Sequence, residues 1–155
     1  MPEDQFLETW NIHARINLYL LESVEAAALA SYSASKGRNI GEQFAHIHNV
    51  RLMWLKAAAP ELLKGLAKIE NHQAKDKKLL QKSLTDSGRV MATLLAQSAA
   101  AGGKVKGFKP HVWGFLGYLI SHESHHRGQI MLSLKQAGHP LDKKIQYGLW
   151  EWGVR

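Results

Sequence analysis

Four stretches of this chain repeat their apolar residues every three to four positions, and no stretch between them alternates as a strand with hairpin turns would. In the first, residues 5–32, Phe6, Trp10, His13, Asn17, Leu20, Val24 and Ala27 fall on one helix face. The second opens at Asn39, an N-cap with Glu42 three positions on, and runs to residue 58, just before Pro60. Residues 60–74 read as an irregular link with one helical turn over 61–66. The third helix covers 75–101 and stops at Gly102-Gly103. The fourth covers 110–137, with Pro110 in its first turn and Gly138-His139-Pro140 as its stop. Four amphipathic helices predict an all-α, four-helix bundle, one domain over residues 1–155. The long second link suits a crossover between parallel helices. The tail, 145–155, is expected to pack Trp150 or Trp152 over one end.

The 155 residues contain no cysteine. Disulfides, thiolate-bound metals, iron–sulfur clusters and a protein thiol nucleophile are therefore excluded. The acidic start, Met1-Pro2-Glu3-Asp4, lacks the pattern of a signal peptide, and no apolar run reaches the roughly 18 residues of a membrane span. The expected setting is the cytosol, with no membrane partner. The net charge of +7 comes from 20 Lys and Arg against 13 Asp and Glu. The lysines cluster at 75–82 and 104–109 without interleaved aromatic residues, so direct nucleic-acid binding is not expected.

The nine histidines carry more information. His122 and His126 stand one turn apart on the fourth helix, in a stripe shared with Phe115, Leu119 and Ser133 where a bundle would ordinarily place leucine. Burying two unpaired imidazoles costs on the order of a few kcal/mol. A shared metal ion removes that cost, because rings one turn apart reach the same point. His125 points away from the pair. A third ligand must come from another helix. His46 and His48 on the second helix lie on opposite faces, His48 with Phe44, Ile47, Arg51 and Leu55, and His46 with Val50 and Met53. His13 on the first helix is a further candidate. Periodicity does not choose among them.

Other motif readings fit less well. His122-Glu123-x-x-His126 matches the metalloprotease pattern with Glu123 as general base, but Gln129 and Leu132 stand where the extended form needs Gly and His. Glu123-x-x-His126 also matches half of a di-iron site, and no second such pair exists.

The run Tyr118-Leu-Ile-Ser-His122-Glu-Ser-His125-His126-Arg127-Gly128-Gln129-Ile130, taken with Ile40-Gly-Glu-Gln-Phe-Ala-His46 through Trp54-Leu, resembles the DinB-like (YfiT-like) metal-binding bundles. The tail Tyr147-Gly-Leu-Trp150-Glu-Trp152 is similar to that of one bacterial subgroup. The resemblance implies an up-down-down-up bundle and a metal site on His46, His122 and His126, holding one nickel or zinc ion per chain. It implies a homodimer, and for some relatives transfer of small thiols in detoxification or stress. Two departures leave the substrate open: Arg51 stands where an acidic residue is frequent, and Arg15 follows Ala14 where Asn is frequent.

Three histidines leave a metal open to a small-molecule substrate. Asn17, Glu123 and Gln129 are placed by helix phase to orient imidazoles from behind. Two alternatives to a thiol transferase stand beside it: a non-catalytic, dimeric metal-binding module, and a metal-assisted hydrolase with Glu123 as base. Arg127 reads as an anion ligand or a surface charge.

Overall fold

The computed structural model describes residues 2–155. It contains four long helices, α1 (Pro2–Ser23), α2 (Ile40–Ala58), α3 (Lys77–Ala100) and α4 (Val112–Gln136), and a short α5 (Lys143–Gly148). Single 3₁₀ turns occupy Ala26–Ala30, Pro60–Leu63, Asn71–Gln73 and Trp152–Val154. There is no β-strand among the described residues. Among the described residues no helix is long and apolar enough to cross a membrane.

Helix directions follow from named contacts. Lys77, at the start of α3, donates from Nζ to the carbonyl oxygens of Glu22 and Val24 at the end of α1, so α1 and α3 are antiparallel. The link after α2 runs back along it: His48 meets Ala67, Asn49 pairs with Ile69 through both its amide oxygen and nitrogen, and Gly41 abuts Ala74. It therefore delivers α3 parallel to α2. Phe6 meets Trp113 near the start of α4, while His126, late in α4, meets Gln43, early in α2. The bundle is up-down-down-up, as the long link suggests.

The expected first helix is too long. It stops at Ser23, and the next residues form a 3₁₀ turn in which Ala28 and Leu29, not Ala27, face inward. The Lys77 ammonium explains the stop, since it satisfies carbonyls that the helix leaves free at its C-terminus. The Asn39–Glu42 capping box forms as expected. Helix α4 begins two residues later than expected: His111 is its N-cap, accepting at Nδ1 from the Gly114 N–H, and Pro110 lies outside. Of the tail tryptophans, Trp152 packs against the core, whereas Trp150 is 80% exposed. Leu149 is the buried anchor of the tail, and Arg155 lies 3.8 Å from the centre of the Tyr19 ring.

Two apolar layers make up the interior. One gathers Leu20, Phe44, Ile47, Leu84, Ile130 and Leu134, the other Trp10, Leu55, Met91, Phe115 and Leu119. Between them every long helix contributes polar residues: His13 and Asn17 from α1, Arg51 from α2, Ser87 from α3 and Glu123 from α4, all buried. This polar waist fixes how the helices slide past one another, and it backs the site described next.

Candidate metal centre

The waist centres on a carboxylate. Arg51 donates from Nη2 to Glu123 Oε1 at 2.7 Å and from Nε to Oε2 at 2.8 Å. Asn17 Nδ2 and His13 Nε2 also donate to Oε1, at 2.9 and 3.0 Å. Arg51 Nη1 reaches the Leu84 carbonyl and Ser87 Oγ on α3. Burial alone would push the Glu123 carboxyl up, but the Arg51 charge and the bonds from Arg51 and His13 hold it at about 2. Burial pushes His13 down against the pull of Glu123, so His13 is neutral near pH 7. Its Nδ1 is buried without a partner.

Two expectations change here. Glu123 faces the interior with its oxygens engaged, so it does not serve as a general base. Asn17 is bound to Glu123 and to Arg127, whose Nη1 donates to Asn17 Oδ1 at 2.6 Å; it orients none of the three histidines described below. His13 likewise belongs to the waist. Arg127 is a half-buried interior cation, also bonded to Ser124 Oγ.

The Arg51–Glu123 pair sets the register of α2 against α4. With that register, His46 comes opposite His122 and His126, and one ligand nitrogen from each lies within 4.8 Å of the others. The His46 ring centre is 5.5 Å from that of His122 and 4.5 Å from that of His126. His48, the alternative, points the other way: it is buried and bonded through Nε2 to the Ala67 carbonyl at 2.8 Å. His125, His72, His111 and His139 are exposed.

The nitrogens of His122 and His126 are poised as donors. Their Nε2 atoms are 3.1 Å apart. Two nitrogens bound at about 2.0–2.1 Å to one ion stand about 3.0–3.4 Å apart. His126 Nδ1 lies 2.8 Å from Gln43 Oε1 and 2.9 Å from Gln129 Oε1, so it carries the ring proton and leaves the Nε2 lone pair free. Gln129 therefore sits where helix phase places it. Gln43 was not evident in the sequence, because glutamine on a helix rarely marks itself as functional; its inward phase three residues before His46 was the available signal.

Electrostatics favours the neutral, ligating form. Burial, then the Arg38 and His122 charges, lowers His46 to about 4. Burial, then His46 and His122, lowers His126 to about 4. Burial lowers His122 as well. Tyr118 lies along the outer side of His122, its ring nearly parallel at 6.3 Å.

The DinB family model matches residues 1–150. The chain belongs to the DinB family. No curated protein and no solved structure matches it. The match spans all four long helices of this DinB protein, so the family assignment and the three-histidine group come from the same bundle. The group fits a divalent metal ion on the evidence of its donors: three neutral imidazoles, one held in the ligating tautomer, with spacing suited to a shared ion. Imidazole donors of this kind suit several divalent metals, zinc and nickel among them.

Proposed function

We propose that this protein is a metal-dependent enzyme of the thiol S-transferase type, holding one nickel or zinc ion on His46, His122 and His126. It acts in the cytosol as a homodimer, joining a small thiol to an electrophile in detoxification or stress. The observation that carries this reading is a set of three neutral imidazole donors with no fourth His, Asp or Glu grouped with them among the described residues. Closed structural sites use four protein ligands, whereas three leave a coordination position for a reactant. When bound, a divalent ion supplies Lewis acidity and lowers the pKa of a thiol or water that reaches it.

The chain's own residues define the rest. Without cysteine, the protein offers no thiol, so the sulfur must arrive on a cosubstrate. Gln43 and Gln129 hold the His126 ring in place. Arg51 and Glu123 keep α2 and α4 in register and withhold the carboxylate from the reaction. This engagement of Glu123 also removes the base that a hydrolase would need. It favours a non-catalytic metal-binding module as the second reading.

The test is a panel of small thiols and electrophiles with nickel- or zinc-loaded protein, following thiol loss. The proposal expects consumption above background that disappears in His122→Ala. Firm metal binding with no turnover on any pair would favour the non-catalytic module.

A further inference from the structure

Beside the Nδ1 edge of His126, the chain leading into α2 folds against α4 and encloses a cleft of about 510 Å³. Three glutamines line it, and each has its carbonyl oxygen engaged. Gln43 and Gln129 accept from His126 Nδ1, and Gln136 Oε1 accepts from the Ala34 N–H at 2.8 Å. Each also carries an NH₂ group, two donors that an anion can accept from. Lys36 and Arg38 bring two cations to the same cleft, and neither side chain makes a hydrogen bond or ion pair with any described residue. No aspartate or glutamate lines it.

The segment that carries these cations is held in shape. The Ile40 N–H donates to the Ser31 carbonyl and the Lys36 N–H to that of Ser33, both at 3.0 Å. Lys36 itself has φ 63°, the one non-glycine residue in the left-handed region among those described. That conformation costs a side-chain-bearing residue about 1 kcal/mol or more, so the turn is maintained by its surroundings. Arg38 stands close enough to His46 and His122 for its charge to push both imidazoles toward the neutral form.

A cleft of donors and unpaired cations without carboxylates discriminates for negative charge. We infer that it is an anion subsite, taking a carboxylate or phosphate group of a small molecule that extends past His126, the one of the three histidines that lines the cleft, toward the metal group. The second half of this inference rests on the proposed function; the anion subsite itself needs no metal.

The test is titration of the ¹⁵N-labelled full chain with sodium phosphate and with sodium succinate, metal-free and with one equivalent of zinc. Succinamide is the neutral control, and sodium chloride holds the ionic strength. The expected result is a saturable shift of the Gln43, Gln129 and Gln136 side-chain NH₂ signals with at least one anion and none with succinamide. Phosphate alone would identify a phosphate group and succinate alone a carboxylate; either supports the subsite. Arg38→Ala, and Lys36→Ala with Arg38→Ala, should weaken binding at least tenfold while zinc stoichiometry stays unchanged. Anion binding in a protein that takes up no zinc would remove the proposed function and leave the subsite standing. The inference is overturned by no saturable shift with either anion, or by shifts that survive loss of both cations. It is also overturned by shifts that appear only with zinc and vanish in His122→Ala, which would make the anion a metal ligand.

Discussion

Arg51 grips Glu123 with two hydrogen bonds, 2.7 and 2.8 Å long, and each residue is only 1% exposed. The pair joins α2 to α4 where the two layers of the core meet. Removing one partner leaves a buried, unpaired charge. Arg51→Ala or Glu123→Ala is therefore expected to cost about 3–5 kcal/mol of stability. The double replacement Arg51→Met with Glu123→Leu should recover part of that loss, because neither member of the pair is left charged and alone, while His13 and Asn17 lose their acceptor and Arg127 its counter-charge. Denaturant unfolding of the three variants checks this. A double variant as unstable as the singles would contradict it.

The two glutamines at His126 should matter for metal without mattering much for folding. Partners that orient a ligating histidine typically contribute 10–100-fold to metal affinity. Gln43→Ala and Gln129→Ala should each weaken zinc binding, the double more so because the two share one ring nitrogen. Competition with a chelator measures it, and a double variant of unchanged affinity would show that the ring needs neither.

The histidines and Glu123 give the metal-free protein two windows of acid sensitivity. His13, His46, His48 and His126 all have folded pKa values below the ordinary 6.5. As pH falls through 6.5, the unfolded chain takes up protons that the folded chain refuses, so stability drops toward pH 4. Glu123 is held at about 2 against an ordinary 4.5. Its contribution is complete above 4.5 and is lost as pH falls from there toward 2. Unfolding free energies between pH 7.5 and 3 should decline in both windows. A flat profile from pH 7 to 5 would contradict the account of the histidines.

Two glycines should respond oppositely to alanine. At Gly41 a Cβ would drive into the Ala74 carbonyl, where the returning link lies against the first turn of α2. Gly41→Ala is expected to destabilise by about 1–3 kcal/mol, as overpacking does. At Gly128, within α4, a Cβ meets nothing within 4 Å. Gly128→Ala should stabilise by about 0.8–1 kcal/mol through helix propensity alone. Thermal melts of both variants decide it.

Much of this arrangement was readable from the residues. Asn39 with Glu42, Pro60 and Gly138 mark helix ends by local chemistry, so those ends were recoverable. The end of α1 was not, because Lys77, more than fifty residues away, supplies the group that terminates it. Helix phase put His122 and His126 together, since both belong to one helix. It could not choose His46 over His48, because that depends on which face of α2 meets α4. Arg51 shows which face of α2 is inward, since its face carries Phe44, Ile47 and Leu55 and a cation there requires an inward carboxylate, supplied by Glu123. His46 and His48 flank that face on opposite sides, and only the placement of the neighbours separates them: α4 lies beside Gln43 and His46, the returning link beside His48. The same reasoning shows why Glu123 looked like a catalytic base: its spacing from His126 is local, whereas its partner lies on another helix.

The central claim is that His46, His122 and His126 together hold one metal ion. Elemental analysis of the protein purified without a histidine tag tests it most directly, alongside His46→Ala, His122→Ala and His126→Ala, with the exposed His125→Ala as control. The account predicts about one metal per chain in the wild type and in His125→Ala, and loss of that metal in each of the other three. Metal that survives loss of His46, or a wild type that takes up none after reconstitution with nickel or zinc, would contradict it.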